Sequence, residues 1–211
     1  MFNGLIREFG EVVKFDGKTL SLKSSLKPNI GDSIAVNGAC LSVVKVFYNG
    51  FNVELSDESK SVLAVQNLKG KVHLEPALKV GDRVDGHFVQ GHIDGLGEIY
   101  KITTLKSGFD FFIKLPLNLM PLMANKGSVA IDGVSLTINE VLKDGIRLTI
   151  IPLTMKDTLF AEYKVGRVVN VESDLLARYT KRILGYKDKK KELSWEEIDH
   201  ISRSEEHTSE L

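Results

Sequence analysis

Short segments in which apolar and polar residues alternate follow one another along residues 1–172, and turns containing Gly, Asn or Asp separate them. Such segments predict half-buried strands. Two turns, Asp16-Gly17 and Tyr48-Asn49-Gly50, have the composition of tight hairpins with positive φ angles. The strands predicted around these turns are residues 11–15, 19–22, 40–47 and 51–55. Because no apolar stripe with helical spacing lies between them, the pattern favours a small antiparallel barrel over a βαβ unit.

The pattern of this first half occurs a second time. The sequence KGSVAIDGVSLTINEV at residues 126–141 repeats GDSIAVNGACLSVVKV at residues 31–46, at an offset of 95 residues. This period is too long for a solenoid repeat and suits two copies of a small domain. We therefore predict one barrel in residues 1–85 and a second in residues 86–173. Further strands are predicted at residues 109–115, 128–131, 135–141 and 146–151, and short helical segments at residues 59–67 and 117–125.

The periodicity becomes helical after Asp174, which is a good helix cap. Leu175, Tyr179 and Ile183 lie four residues apart, so the sequence predicts an amphipathic helix over residues 174–186. An apolar face on such an added helix packs either on its own barrel or on another subunit.

The last residues carry a different kind of sequence. Residues 187–201 are rich in charge, and residues 194–201 have the capping-box spacing of one more short helix. Residues 202–211, SRSEEHTSEL, match nothing in the repeat and read like a translated vector or adapter sequence. We exclude this segment from the functional interpretation.

Composition narrows the class of protein. The 211 residues include 28 Lys plus Arg and 28 Asp plus Glu, so no net charge favours nucleic acid or an anionic membrane as a partner. Charges interrupt the N-terminal segment, and no apolar run is long enough to span a bilayer, so we expect a cytoplasmic protein. A single cysteine, Cys40, excludes an intrachain disulfide and any zinc site built from several thiolates.

Hydroxyl and thiol groups occupy equivalent positions in the two copies. Ser135 and Thr137 lie two residues apart, and therefore on one face of a strand, where they either bind a ligand or face solvent. Their equivalents in the first copy are Cys40 and Ser42, and a lone cysteine is often only a small apolar residue. The residues alone thus predict a duplicated barrel protein with two similar but unequal clefts for a small molecule.

Two other candidate motifs give weaker evidence of function. His87 and His92 are five residues apart, a poor spacing for a shared metal, and each is either functional or a hydrogen-bonded surface histidine. Gly95-Leu96-Gly97 lacks the third glycine of a dinucleotide fingerprint and reads as a turn.

Five ordered motifs, MFNG, NGACLSV, GHFVQGHIDG, IDGVSLTI and IIPLT, are similar to those of the riboflavin synthase family of the α-chain type. The resemblance covers about residues 1–185. It implies two six-stranded antiparallel Greek-key barrels followed by a C-terminal helix, in a homotrimer. It also implies a dismutation without metal or redox cofactor, in which two molecules of 6,7-dimethyl-8-ribityllumazine exchange a four-carbon unit. Lumazine synthase is a further candidate partner.

The resemblance also implies roles for particular residues. The expected catalytic residues are His92 as base, Cys40, Ser135, and Asp174 at the base of the final helix. The expected substrate-binding residues are Met1, Phe2, Asn3, Gly4, Ser33, Ser59, Gly91, Thr137 and Thr154. In the family, the N-terminal barrel of one subunit meets the C-terminal barrel of its neighbour, so two substrates are held face to face.

The chain departs from the family pattern at a few positions. Asn3 stands where threonine is common, and His73 stands where an asparagine is frequent. The hydroxyl expected near the first helical turn is that of Ser59 or Ser61. The runner-up function is a non-catalytic lumazine- or flavin-binding protein of the same fold. A flavin reductase would need a nucleotide-binding α/β domain, for which the sequence shows no pattern.

Overall fold

A computed structural model describes residues 1–190, in which twelve strands form two closed antiparallel barrels. The N-barrel contains β1 (Glu8–Phe15), β2 (Thr19–Lys23), β3 (Ser33–Val36), β4 (Ala39–Phe47), β5 (Gly50–Glu54) and β6 (Lys71–Pro76). The C-barrel contains β7 (Gly95–Leu105), β8 (Gly108–Lys114), β9 (Ser128–Ile131), β10 (Val134–Val141), β11 (Gly145–Ile150) and β12 (Val168–Ser173). Around the rings the orders are β1-β2-β5-β4-β3-β6 and β7-β8-β11-β10-β9-β12, which are the same topology. The predicted duplication and the pair of six-stranded barrels are confirmed.

Short helices occupy equivalent places in the two copies. Helices α1 (Asp57–Val62) and α2 (Pro152–Asp157) lie 95 residues apart, and a 3₁₀ turn follows each, at Val65–Asn67 and Leu159–Glu162. Ser56 caps α1 through the Ser59 amide, whereas Pro152 begins α2. The helical segment predicted at residues 117–125 is only a 3₁₀ turn, Met120–Leu122, because Pro121 cannot continue a hydrogen-bonded helix.

The final helix, α3 (Leu175–Lys190), extends beyond the predicted end at residue 186. One compact unit covers residues 1–177, and a second begins at Arg178. The short helix expected at residues 194–201 and the segment 202–211 lie outside the described residues. No helix in the described part of the chain is both long and apolar enough to cross a bilayer.

Each barrel has its own apolar core, and strand alternation places polar residues on the outside. In β4, Leu41 and Val43 are buried while Ser42 is exposed and Cys40 is half-buried. In β10, Leu136 and Ile138 are buried while Thr137 is exposed and Ser135 is half-buried. Large, fully buried core residues include Leu20, Phe51 and Leu74 in the N-barrel and Ile99, Phe111 and Phe160 in the C-barrel. The side chains expected to carry chemistry therefore line the outer faces of the barrels.

The two copies meet through their central hairpin turns. Asn37 and Asp132 have φ angles of 43° and 45°, and the glycine after each has a φ of 83°. A Cβ on Gly38 would lie 2.6 Å from the Gly133 amide nitrogen, so only glycine lets the turns touch. The Tyr48-Asn49-Gly50 turn, in contrast, does not have the positive φ angles expected for it. Gly50 is needed there because a side chain would overlap the Leu22 carbonyl oxygen.

Side-chain hydrogen bonds repeat across this junction. The side-chain nitrogen of Asn170 donates to the Asn37 carbonyl oxygen at 2.8 Å, and its side-chain oxygen accepts from the Ala64 backbone amide at 2.8 Å. His73, at the equivalent place in β6, makes the two corresponding bonds to the other copy through its ring nitrogens. Its Nδ1 lies 2.9 Å from the Asp132 carbonyl oxygen, and its Nε2 accepts from the Leu159 amide at 2.8 Å. His73 in the first copy thus makes the pair of hydrogen bonds that Asn170 makes in the second.

Candidate active sites on the two barrels

A cavity of about 450 Å³ lies on the outer face of the N-barrel, beside β4 and α1. We call it the N-site. Its lining residues are Ala39, Cys40, Glu58, Ser59, Val62, Leu63, Gly91, His92 and Ile93. The structure therefore brings together four of the predicted residues, namely Cys40, Ser59, Gly91 and His92. Ser61, the alternative to Ser59, directs its hydroxyl to the Glu58 carbonyl oxygen at 2.6 Å.

One wall of the N-site comes from the sequence that leads into the C-barrel. The amides of Gln90 and Gly91 donate to the two carboxylate oxygens of Glu172, at 2.7 and 2.8 Å. The Gly91 carbonyl oxygen then accepts from the Cys40 amide at 2.9 Å. Gly91 has a φ of 78°, and a Cβ there would lie 2.6 Å from the Cys40 Cβ. Glycine is therefore required for this segment to reach β4 and to deliver His92.

The N-terminal segment makes the matching contacts on the C-barrel. The amides of Asn3 and Gly4 donate to the two carboxylate oxygens of Glu75, at 2.8 and 3.1 Å. The Gly4 carbonyl oxygen accepts from the Ser135 amide at 2.8 Å. Gly4 has a φ of 75°, and a Cβ there would lie 2.6 Å from the Ser135 Cβ. We call the surface around Ser135, Gly4 and His87 the C-site.

These two segments, residues 2–4 and 89–91, each contact both barrels and are joined to each other between them; we call them the crossing segments. Residues 2–4 are held by Glu75 of the N-barrel and contact Ser135 of the C-barrel, and residues 89–91 do the reverse. Phe2 and Val89 exchange two backbone hydrogen bonds, of 2.7 and 3.1 Å, between the barrels. Each site is thus assembled from both copies.

His87, which sequence reasoning did not select, lies in the C-site. Its Nδ1 is 2.7 Å from the Ser135 hydroxyl. Burial lowers the pKa of His87, and the negative charge of Asp174 opposes this shift. The only sequence signal is that GHFVQGHI carries a histidine on each side of the crossing segment. The structure sends one histidine to each site.

The remaining predicted residues are distributed unequally. Thr137 lies on the outer face of β10, two residues from Ser135, and Thr154 lies on α2 at the place that Ser59 has on α1. Asp174 accepts the Leu176 amide at 2.9 Å at the start of α3. Ser33 is on the same face of the sheet as Cys40 but lines a different cavity, of about 650 Å³.

Two of the first three residues are buried and hold the N-terminal segment in place. Phe2 and Asn3 are fully buried, whereas Met1 is 49% exposed. Phe2 packs with Ala35, Val89 and Ala130 between the barrels. Phe2 and Asn3 thus anchor the N-terminal segment between the barrels, and their role in substrate binding stays a prediction.

The two sites differ in chemistry although their frameworks match. The thiol of Cys40 corresponds to the hydroxyl of Ser135. The repeat aligns Glu58, at the N-site, with an exposed Leu153 in the C-barrel. Among residues 1–190, no cluster of three His, Cys, Asp or Glu side chains could hold a metal ion.

Comparison with known proteins agrees with this architecture. A family model described as the lumazine binding domain matches residues 3–77 and 90–174. The riboflavin synthase of Photobacterium phosphoreum is 39% identical over 194 residues, covering 87% of this chain and 89% of that protein. The riboflavin synthase of Bacillus subtilis (strain 168) is 37% identical over 193 residues, covering 87% of this chain and 90% of that protein.

A solved structure supports the fold. The crystal structure of LumP complexed with riboflavin aligns with a TM-score of 0.73 at 23% identity, covering 82% of this chain and 99% of that one. The two matched ranges coincide with the two barrels and their crossing segments. The chain therefore belongs to the riboflavin synthase family and contains two lumazine binding domains.

Proposed function

We propose that this chain is a riboflavin synthase, which converts two molecules of 6,7-dimethyl-8-ribityllumazine into one riboflavin and one 5-amino-6-(D-ribitylamino)uracil. One lumazine gives up a four-carbon unit, made of its C6, its C7 and their methyl groups, and the other receives it. The observation that carries the proposal is the presence of two equivalent but chemically unequal sites in a family member. Two identical substrates that play different parts need such a pair of sites.

The side chains at the two sites are of the kinds that this reaction needs. The lumazine ring delocalises the negative charge formed when its 7-methyl group loses a proton, so a modest base suffices. We assign that base to His92 in the N-site, where the Cys40 thiol is placed to assist addition at the acceptor. Ser135 and Thr137 hold the polar edge of the lumazine in the C-site. Fixing both rings removes much of the entropic barrier of a bimolecular step.

A homotrimer would bring the two kinds of site together. The candidate groups lie on outer faces of the barrels, which suits pairing of an N-site with the C-site of a neighbouring subunit. On α3, Leu176, Tyr179, Ile183 and Tyr186 are each 56% exposed or more, and their spacing of three or four residues forms an apolar stripe. Burial of such a stripe against other copies would stabilise an oligomer.

The first experiment mixes the purified protein with 6,7-dimethyl-8-ribityllumazine alone, in chelator and without nicotinamide. We expect one riboflavin for every two lumazines consumed, followed by absorbance and fluorescence. Tight binding without conversion would instead establish the non-catalytic lumazine-binding protein as the function. Absence of both binding and conversion would refute the lumazine assignment altogether.

Two variants test the catalytic roles. H92Q and C40A should slow turnover more than they weaken lumazine binding, because both residues act on bond-making steps in this scheme. Unchanged turnover in both would remove these two assignments and leave the fold and the substrate standing.

A further inference from the structure

The His87 imidazole makes one hydrogen bond among residues 1–190, and its partner is Ser135. Its Nε2 is buried and has no hydrogen-bonding partner in that part of the chain. Among the described residues, the His87 side chain is therefore tied to the C-barrel through the hydroxyl of Ser135 alone. Buried polar atoms in native proteins rarely lack a partner, so the unpaired Nε2 marks this ring as unusual and its bond to Ser135 as the one to test.

The backbone around His87 is fixed by Asn3. The Gly86 amide donates to the Asn3 side-chain oxygen at 2.6 Å, and the His87 amide donates to the Asn3 carbonyl oxygen at 3.3 Å. The Asn3 side-chain amide also donates to the Arg83 carbonyl oxygen at 3.1 Å. The ring is thus held by the same segment whose Gly4 fixes the Ser135 amide, so backbone and side chain of that serine are oriented together.

The ionisation of the ring suits this role. Since burial outweighs the charge of Asp174, the pKa of His87 is lowered and the ring is neutral near pH 7. A neutral imidazole donates from one nitrogen and accepts at the other. In either tautomer, Nδ1 determines where the Ser135 hydroxyl proton points, and hence whether that hydroxyl donates to a ligand or accepts from it.

We infer that His87 is a positioning residue of the C-site, which orients the Ser135 hydroxyl toward a polar edge of bound lumazine through its Nδ1. The inference rests on the proposed function for the identity of the ligand. The N-site reaches its histidine differently, because His92 follows the crossing segment whereas His87 precedes it.

Two replacements of His87 separate its nitrogens. Asparagine places a polar atom where Nδ1 is and keeps the bond to Ser135, whereas glutamine places its polar atoms farther out, near the position of Nε2. We expect H87Q and S135A each to weaken lumazine binding at one of two sites per chain by about 10-fold, the scale of one hydrogen bond. H87N should stay within about 3-fold of the unchanged protein, as expected when that bond is kept.

The double variant H87Q/S135A tests the coupling. If His87 acts through Ser135, the double variant should bind lumazine no more weakly than S135A alone. The active protein would consume lumazine, so every protein compared in this titration also carries H92Q, which should slow conversion with little change in affinity. Titration of these full chains with lumazine, followed by fluorescence and calorimetry, then gives the affinity of each site, and thermal unfolding checks that the fold is kept. H87A replaces H87Q if glutamine disturbs folding.

The possible results bear separately on the positioning role of His87 and on the proposed function. Equal losses in H87N and H87Q, or additive losses in the double variant, would overturn the positioning role. Unchanged binding in H87Q would overturn it too, while riboflavin production by the unchanged protein would leave the proposed function intact. If the unchanged protein binds lumazine without converting it, the titration still tests His87 and only the enzymatic assignment fails. No lumazine binding at all would overturn both.

Discussion

Replacing His73 by asparagine should remove an acid-sensitive contact between the barrels. The native ring must be neutral, because Nε2 accepts from the Leu159 amide while Nδ1 donates to the Asp132 carbonyl oxygen. A protonated ring would turn Nε2 into a donor facing another donor. Burial is the main reason why the pKa of His73 falls from 6.5 to about 4, and the positive charge of Arg167 lowers it further. Asparagine has the required donor and acceptor without a proton to gain.

The size of the effect follows from proton linkage. Because the pKa is lower in the folded state, the unfolded chain binds more protons between about pH 4 and 6.5, so stability falls as the pH falls through this window. The full contribution is about 3 kcal/mol, and about 2 kcal/mol of it is lost between about pH 7.5 and 5. Near neutral pH the ring also packs beside Phe9 and Tyr163, at centroid distances of 6.0 and 6.3 Å. H73N should therefore start about 1 kcal/mol less stable there, the scale of a small packing defect.

Urea unfolding of both proteins across this pH range provides the test. From the linkage argument, the unchanged chain should lose its advantage at about pH 6 and be about 1 kcal/mol less stable than H73N at about pH 5. Glu75 also titrates in this range, because burial raises its pKa to about 7, but it is present in both proteins and cancels in their difference. A difference in unfolding free energy that stays constant with pH would refute the neutral-ring bonding of His73.

Three further predictions concern the crossing segments, the carboxylate that anchors one of them, and His92. G4A should weaken lumazine binding at the C-site and G91A at the N-site, each with a loss of about 1–3 kcal/mol in stability. The control is G17A, which has a φ of 92° and open space around it, and which should cost stability without affecting either site. Calorimetric titration distinguishes the variants, and an equal loss of binding at both sites in G4A would contradict the assignment. E75Q should lower the free energy of unfolding by about 1–3 kcal/mol, as measured with urea, because one backbone amide of the Asn3-Gly4 segment then faces a donor. In the unchanged protein, the raised pKa of Glu75 makes the folded state less stable as the pH rises from 4.5 to about 7, and E75Q should lose this part of the pH dependence. H92Q should lower kcat with little change in lumazine affinity, measured by steady-state kinetics beside titration, and a loss in affinity alone would mean that His92 binds substrate without acting as base.

Local patterns predicted the strands, and the long-range contacts explain what they missed. Alternation placed β9 at its observed ends, and the repeat correctly paired Cys40 with Ser135. The role of His87 could not be predicted, because its hydrogen bond to Ser135 joins residues 48 apart in sequence. The exchange of residues 2–4 and 89–91 also depends on distant carboxylates, and neither carboxylate has a local signature. Helix α2 was missed because a six-residue helix that begins at Pro152 has too little periodicity to be recognised.

The exchange explains how two copies of one barrel could become unequal without separating. Each crossing segment is fixed by a glutamate of one barrel and a glycine pressed against the other, so neither barrel can complete its site alone. Substitutions on an outer face leave this framework untouched, because the bonds that hold it use backbone groups and buried carboxylates. Cys40 and Ser135 occupy such outer positions, each joined to its glycine through the backbone amide alone. The framework could therefore stay symmetric while the side chains at the two sites diverged into a thiol with His92 and a hydroxyl with His87, which is the asymmetry that a reaction between two identical substrates requires.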